Sequence, residues 1–165
     1  MDAKYKSRLM RLAHALVVVI LVGCATNRDV VPHGFFFNFI TESPEAELID
    51  YRYGESKNPA ARSYRELYGR TKQGGGTYGA MLRGDELYVK WRLKTTGEVF
   101  EQTVDLRKRL PEKIEGCEIS FLVHGDQLYV YLIMPERRGK DEPPIGPKVT
   151  QYRKTVVLYP DPVQR

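Results

Sequence analysis

Glu118-Ile119-Ser120-Phe121-Leu122-Val123-His124-Gly125-Asp126-Gln127-Leu128-Tyr129-Val130-Tyr131-Leu132-Ile133-Met134 is the stretch that decides the fold. Its two arms are almost entirely apolar or aromatic, which is typical of strands that are buried in a core. Gly125-Asp126 between the arms suits a tight turn that joins antiparallel strands. The stretch therefore predicts a β-hairpin at the centre of the sheet structure.

A second hairpin is predicted on the N-terminal side of the first. Between residues 87 and 94 apolar and polar residues alternate strictly, which indicates a strand with one buried face. The buried set is Leu87, Val89, Trp91 and Leu93, and the returning strand buries Phe100, Val104 and Leu106. On the opposite face Lys90, Arg92 and Lys94 can meet Glu101 and Asp105 across the hairpin.

Three more strands are predicted nearer the two ends of the chain. Residues 34–40 form a dense aromatic run, residues 48–53 alternate with Tyr51 and Tyr53 facing inward, and residues 149–159 form the last strand. Between them, residues 54–79 lack a strand pattern. Residues 60–68 could form two helical turns that end at Gly69. No lysine followed by a hydroxyl residue comes after Gly74-Gly75-Gly76, so we interpret this run as a flexible surface loop and not a phosphate-binding loop.

This pattern predicts an all-β fold. About seven strands at short spacing, one short helix and no long helical pattern favour an antiparallel β-sandwich. The alternatives are a half-open barrel and an α+β sheet that uses the helix over residues 60–68.

The N-terminus has the composition of a secretory signal. A basic segment with Lys4, Lys6 and Arg8 precedes an apolar run over residues 12–22. That run is shorter than the roughly 20 apolar residues that a membrane-spanning helix needs. Leu21-Val22-Gly23-Cys24 resembles the box at which bacterial lipoproteins are cleaved and acylated. We therefore expect a signal peptide over residues 1–23, a lipid on Cys24, a tether over residues 24–33 and a single β-sandwich domain over residues 34–165.

The resemblance to lipoproteins also implies an address. Ala25 follows the cysteine where an aspartate would retain such a protein at the inner membrane, so the expected location is the periplasmic face of the outer membrane. The membrane would be a partner through the lipid anchor. Two or more acyl chains anchor a protein stably, because each methylene buried in the bilayer contributes about 0.8 kcal/mol to membrane binding.

Charge content argues against a nucleic-acid binder, and cysteine content argues against an internal disulfide. The whole chain has a net charge of +5, of which Lys4, Lys6, Arg8, Arg11 and Asp2 supply +3, leaving +2 after cleavage. Such a near-balanced domain lacks the concentrated basic face of a nucleic-acid binder, so no nucleic acid is expected as a partner. With Cys24 acylated, Cys117 has no disulfide partner and is expected to be a buried strand residue.

No catalytic constellation stands out. The expected mature chain contains only His33 and His124, no Gly-x-Ser-x-Gly and no histidine–cysteine cluster with zinc spacing. We therefore expect no catalytic residue, metal or cofactor, and a protein that is not an enzyme. His124 next to the turn is interpreted as a solvated histidine.

Two loops are candidates for contact with a partner protein. The first covers residues 70–78 and offers Arg70, Lys72 and Tyr78. The second covers residues 135–148 and contains four prolines, which stiffen it and lower the entropy lost on binding. Its candidate contact residues are Arg137, Arg138, Asp141 and Glu142.

The second half of the chain resembles a family of small bacterial lipoproteins. The residues that carry the resemblance are Leu87-Tyr88-Val89-Lys90-Trp91-Arg92, Thr96-Gly97, the segment from Val104-Asp105-Leu106 to Leu110-Pro111, and the strands on either side of His124-Gly125-Asp126. Such lipoproteins are found beside type VI secretion phospholipase toxins, where they look like immunity proteins. The resemblance implies a tethered, non-enzymatic inhibitor with a protein toxin as partner. A structural or assembly lipoprotein of an envelope complex is the alternative, and an enzyme acting on lipid or cell wall is a third reading.

Overall fold

The computed structural model describes residues 29–63 and 65–161, together with every side chain in them except those of Glu66 and Leu67. The predicted signal peptide, Cys24 and residues 24–28 of the predicted tether lie outside these residues. Within them the chain forms eight strands in two sheets.

The larger sheet has five strands in the order β3-β1-β6-β7-β8. Their bounds are β1 Val30–Asn38, β3 Gly74–Leu82, β6 Glu118–His124, β7 Gln127–Arg137 and β8 Arg153–Tyr159. The smaller sheet has the order β2-β4-β5, with β2 Ala46–Tyr53, β4 Glu86–Leu93 and β5 Val99–Asp105. The helical residues form two α-helical turns, α1 Phe39–Glu42 and α2 Arg65–Tyr68, and two 3-10 turns, Pro59–Ala61 and Lys148–Thr150.

The core lies between the two sheets and is dominated by aromatic rings. Phe35 and Phe37 from β1 meet Tyr51 and Tyr53 from β2, with ring centroids 5.1 Å apart for Phe35 and Tyr53 and 4.5 Å for Phe37 and Tyr51. Phe121 on β6 packs 5.2 Å from Phe37 in the same cluster. Such ring pairs each contribute about 0.5–1.5 kcal/mol beyond the area they bury. The fold is therefore the all-β, sandwich-like architecture that the alternating sequence pattern predicts.

The two hairpins form as predicted, but Arg92 pairs with Glu47 on β2 and Asp105 with Arg107 instead of across the second hairpin. Residues 118–134 supply the central strand β6 and its neighbour β7, joined at Gly125, whose φ of 59° is the left-handed conformation that a tight turn requires. In the second hairpin Leu87, Val89 and Trp91 are buried, and Lys90 forms an ion pair with Glu101 at 2.9 Å. Trp91 also donates a hydrogen bond from Nε1 to the carbonyl of Gly125 at 2.9 Å and so ties the two sheets together.

One strand pair is not antiparallel. β1 pairs with β6 in parallel, from Gly34 opposite Glu118 to Phe37 opposite Phe121. The chain crosses to the smaller sheet between these two strands, so β6 enters the larger sheet in the same direction as β1. The predicted antiparallel sandwich is correct for the other strand pairs of the described chain.

The interpretation of Gly74-Gly75-Gly76 as a flexible surface loop is wrong. These residues begin β3, which pairs with β1 over nine residues without a break in register. Glycines carry no apolar alternation, so the strand has no periodic signal at its start. Pairing with the aromatic strand β1 makes these residues a strand. With β3 included, the described chain has eight strands and not about seven.

The ends of several other elements differ from the prediction. β1 begins at Val30, so residues 30–33 belong to the sheet and not to a tether, because His33 is buried and Val31 packs against the core. β1 ends at Asn38, whose side chain accepts a hydrogen bond from the backbone N–H of Thr41 at 3.3 Å and starts α1.

The helix predicted over residues 60–68 is divided into two turns. The 3-10 turn Pro59–Ala61 and the helical turn α2 are separated because Ser63 donates its N–H to the carbonyl of Tyr51 on β2 at 2.9 Å. The predicted end is correct, since Gly69 follows α2 with a φ of 67° and donates to the carbonyl of Arg65 at 2.8 Å.

The proline-rich segment is shorter as a loop than predicted. β7 continues through Pro135 to Arg137, and a break in register between Ile133 and Arg137 accommodates the proline that lacks an N–H. β8 begins at Arg153, because Lys148–Thr150 forms a 3-10 turn. Among residues 29–63 and 65–161 no helix has the length and apolar character needed to cross a bilayer.

Candidate functional site

A groove opens at the side of the sandwich, between the glycine-rich start of β3 and the segment that precedes it. We call it the lateral groove, and its volume is about 610 Å³. It is lined by Phe37, Tyr51, Pro59, Ala60, Tyr68, Arg70, Lys72, Gly74, Gly75 and Gly76. Its size falls within the range of about 300–1,000 Å³ that is usual for ligand pockets. The rings of Phe37 and Tyr51 line the inner part of the groove, and Arg70 and Lys72 lie in its wall. The wall formed by residues 74–76 carries no side chains because all three are glycines.

The segment that carries the two cations is fastened to a bulge in β2. The register of β2 shifts between Leu48 and Asp50, which leaves backbone groups of β2 without a partner strand. Gln73 satisfies two of them: its Oε1 accepts from the Leu48 N–H at 2.8 Å, and its Nε2 donates to the Leu48 carbonyl at 2.9 Å. Thr71 donates its hydroxyl to the carbonyl of Ile49. Because Thr71 and Gln73 are held against β2, the alternate residues Arg70 and Lys72 are left exposed.

Arg70 and Lys72 are cations without a carboxylate. Among the described residues no acidic group lies within ion-pair distance of either side chain, and the same holds for Arg65 on α2. The nearby Asp50 is used locally, since its Oδ1 accepts from the backbone N–H of Tyr51 at 2.8 Å and from the hydroxyl of Ser63. We call Arg65, Arg70 and Lys72 the basic rim. Its charge is available to an external anion.

Exposed apolar side chains stand beside the basic rim. Ile40 on α1 is 70% exposed and Tyr68 on α2 is 69% exposed. Ile40 lines a second shallow depression next to the lateral groove, together with the basic rim, Lys94, and Arg92, which is paired with Glu47 at 3.3 Å. Ile40 and Tyr68 therefore add apolar surface next to the cations of the basic rim.

A cleft at the opposite end of the sandwich has a different character. Its volume is also about 610 Å³, but acidic as well as basic side chains line it. Arg52 pairs with Glu86 at 3.1 Å, and Arg83 donates to the carbonyl of Glu112 at 2.8 Å. Arg107 hydrogen-bonds Asp105 and lowers the pKa of its carboxyl to about 2. Arg52 and Arg107 are already paired with carboxylates, and further acidic side chains line the cleft, so it has less to offer an anionic partner than the lateral groove.

The second predicted contact loop is largely occupied with its own structure. Arg138 donates from Nε to the carbonyl of Gln151 at 2.9 Å, and Glu142 accepts from the N–H of Gly139 at 3.0 Å. Arg137 and Asp141 are exposed. Ile133 on β7 is opposite Glu118 on β6, and Glu118 is opposite Gly34 in the middle of β1. Arg137 lies farther along β7, toward the end of the sheet where β1 begins. It is therefore far from Gly74, which is opposite the last residue of β1.

Of the seven predicted contact residues, the structure brings Arg70 and Lys72 together in one site. Tyr78 lies farther along β3 and is 62% exposed. Sequence reasoning missed Tyr68, the glycine wall and the rings of Phe37 and Tyr51. The sequence feature that could have indicated this site is the glycine run over residues 74–76, which follows Arg70, Lys72 and Gln73.

The two histidines are not close to one another. His33 is buried, with Nδ1 donating to the carbonyl of Val31 at 2.8 Å and Nε2 accepting from the Tyr53 hydroxyl at 3.1 Å. Burial lowers the pKa of His33 and raises that of Tyr53. His124 lies at the far end of β6, with its side chain 85% exposed and its Nδ1 3.5 Å from Glu45. Each histidine has a local partner, and the geometry does not assemble a shared site.

Cys117 is buried immediately before β6, with its sulfur 3.8 Å from that of Met134. Burial raises the pKa of the Cys117 thiol, which disfavours the reactive thiolate. Among residues 29–63 and 65–161 no three histidine, cysteine or acidic side chains are grouped so that they could hold a metal ion.

Comparison with protein-family models, with curated proteins and with solved structures found no significant match.

Proposed function

We propose that this protein is a lipid-anchored periplasmic binding protein, and that it neutralises a lipase toxin of a type VI secretion system by binding it through the lateral groove and the basic rim. The observation that carries the proposal is the pair Arg70 and Lys72, whose segment is held against β2 through Thr71 and Gln73 and whose side chains have no carboxylate partner among the described residues. Such cations favour a partner with an acidic surface.

The position of the groove relative to the expected anchor supports this proposal. β1 follows the predicted tether and runs from Val30 to Asn38, a distance of about 26 Å at about 3.3 Å per residue. The lateral groove lies where β1 ends, since Gly74 is opposite Asn38. With a lipid on Cys24, the groove would face away from the membrane. A partner that arrives from the periplasm could then reach it.

The mode of action follows from binding alone. A rigid sandwich that covers the mouth of a lipase excludes lipid from its catalytic centre and needs no chemistry of its own. Anchoring the inhibitor at the membrane that the toxin attacks raises its effective concentration there. Electrostatic attraction between the basic rim and an acidic partner increases the association rate.

Protection of living cells tests the proposal. Bacteria that produce the lipase encoded beside this protein, directed to their periplasm, should survive when they also produce the wild-type protein and die when they do not. If no toxin gene adjoins this one, or if co-production gives no protection, the proposal fails. Normal resistance combined with defective envelope assembly in a deletion strain would instead support the assembly lipoprotein.

A further inference from the structure

The outer edge of the terminal strand β3 forms no backbone hydrogen bond with the described residues, although the 3-10 turn Pro59–Ala61 lies near it and Asn58 Nδ2 donates to Thr77 Oγ1 at 3.1 Å. The strand pairs with β1 on one side only. Apart from that ladder, the backbone of residues 74–82 forms no hydrogen bond with any described residue. Every second residue of such a strand directs its N–H and C=O outward, which makes the edge a template for another strand.

The other terminal strands of the described chain are protected against such pairing. β2 is covered by a bridge between Arg52 and Arg62 and by the hydrogen bond from Ser63. β5 carries Glu101 and Asp105, and β8 carries charges and pairs with a broken register. Charged residues and irregularities of this kind are the usual means of keeping an edge from pairing with another chain.

β3 lacks these charges and irregularities, and the side chain of Asn58 meets it at Thr77. Its sequence, Gly-Gly-Gly-Thr-Tyr-Gly-Ala-Met-Leu, contains no charged residue and no proline, and its nine pairs with β1 are in continuous register. An unprotected regular edge is a liability unless another strand covers it. The sequence of β3 therefore indicates an edge kept open for pairing.

The glycines at the start of β3 are not all required by packing within the protein. At Gly76 a Cβ would meet Phe36 Cδ2 at 2.9 Å and the Phe35 carbonyl at 3.1 Å, so only glycine fits without rearrangement. At Gly75 the nearest atom would be Phe37 Cζ at 3.9 Å, which is ordinary van der Waals contact. A side chain at Gly75 would project into the lateral groove. Its absence keeps the space beside the edge clear.

We propose that an extended segment of the partner docks on β3 as an added strand of the five-stranded sheet. Its backbone pairs with the free edge, an apolar or aromatic side chain enters the lateral groove beside Gly75, and acidic side chains meet Arg70 and Lys72. This is strand addition, in which main-chain hydrogen bonds supply affinity and pockets for alternate side chains supply specificity. The inference rests on the proposed function, because it takes the lipase toxin as the source of the segment.

Charge complementarity selects this occupant over a second copy of the chain. Two copies paired antiparallel through β3 would place the start of one strand beside the end of the other, about 26 Å away at about 3.3 Å per residue, so both basic rims would remain without an anion. An acidic segment would instead neutralise Arg70 and Lys72. It would extend the sheet to six strands and bury the only uncharged terminal strand of the described chain.

Hydrogen–deuterium exchange on the detergent-solubilised protein, alone and with the purified lipase, tests the inference. On binding, amides within residues 74–82 should exchange at least about tenfold more slowly, because those that face outward gain partners. A complex that protects residues 138–147 while exchange in residues 74–82 is unchanged would overturn strand addition and leave the proposed function standing. Absence of any complex would overturn both.

A charged variant at the edge gives a second readout. Gly75→Glu places a carboxylate in the lateral groove and should weaken lipase binding by about 30-fold or more, through loss of space and of positive charge. Thr103→Glu on the terminal strand β5 makes the same neutral-to-acidic change at an exposed site of the other sheet and should retain wild-type affinity. Equal affinities for Gly75→Glu and the wild type would overturn the proposal, as would slow exchange in residues 74–82 that depends on protein concentration without lipase.

Discussion

Two cations carry the electrostatic part of this account at the level of single residues. Arg70 and Lys72 are exposed and lack an acidic partner among the described residues, so reversing their charge removes attraction to an acidic toxin without breaking an internal ion pair. We expect the double variant Arg70→Glu/Lys72→Glu to bind the lipase about 10- to 100-fold more weakly, mostly through slower association that depends on salt. Surface plasmon resonance at two ionic strengths measures this.

A matched pair of lysines separates a local effect from the change in net charge. Lys113 and Lys154 are exposed on other parts of the sandwich. Lys113→Glu/Lys154→Glu alters the net charge equally and should keep the association rate within about twofold of the wild type, since charges more than a Debye length away are screened. If the association rate falls equally in the two double variants, Arg70 and Lys72 contribute no more to lipase binding than lysines elsewhere on the surface, which would contradict the proposed interface.

His33 makes the stability of the fold depend on pH. Its imidazole is neutral in the folded protein because burial lowers its pKa, with Nε2 accepting from Tyr53. In the unfolded chain the pKa is about 6.5. Below that pH the unfolded state binds the proton first, so stability should be full above pH 6.5 and fall as the pH decreases toward the folded pKa.

Urea denaturation at pH 7.5 and pH 5.0 checks the role of His33. The wild type should lose more stability between the two values than His33→Gln, which cannot titrate. His124→Gln removes an exposed histidine and should retain the wild-type difference. An identical pH response in the wild type and His33→Gln would show that His33 does not carry the effect.

At the level of elements, β3 is the strand that sequence patterns could not identify. The alternation of Leu87, Val89 and Trp91 predicts β4 because one face of that strand is buried in the core. Glycines at the start of β3 have no side chains to alternate, and their conformation depends on pairing with β1, which is 36 or more residues away in sequence. Strands with apolar periodicity were therefore predictable from local residues, and β3 was not.

The candidate site was predictable only in part, for a related reason. Arg70 and Lys72 could be chosen from the sequence because a charged segment beside a glycine run is visible locally. Their fixed positions depend on the bulge in β2 and on Gln73, which bridges to Leu48 across 25 residues. The loop over residues 135–148 was the first choice in the sequence because its prolines stiffen it, but Arg138 donates to the carbonyls of Gly139 and Glu142 within it, and Glu142 accepts from the Gly139 N–H.

Two adjacent glycines in β3 should respond differently to the same substitution. Gly76→Ala should lower the free energy of unfolding by about 1–2 kcal/mol, because its Cβ would press on Phe36 and the Phe35 carbonyl. Gly75→Ala has room at 3.9 Å and should be neutral or stabilising by up to about 0.5 kcal/mol, because alanine restricts the unfolded chain. Urea denaturation measures both, and equal losses would contradict the packing described for β3.

On the scale of the whole molecule, the expected anchor precedes β1 in the chain, and the proposed binding site lies where β1 ends. Cys24→Ser removes the thiol that would be acylated and should move the protein from the membrane fraction to the soluble fraction, without incorporation of labelled palmitate. Cys117→Ser changes the buried thiol and should keep both the label and the membrane fraction. A Cys24→Ser variant that still sediments with membranes would contradict the anchor.

Inhibition of the purified lipase is the most direct test of the central claim that this sandwich neutralises a toxin by binding it. The lipase is assayed on phospholipid vesicles while the detergent-solubilised wild-type protein is titrated at nanomolar concentrations. We predict that hydrolysis falls linearly and stops at one molecule of protein per molecule of lipase, as tight binding requires. Hydrolysis that continues at its full rate in the presence of a tenfold excess of the protein would contradict the claim.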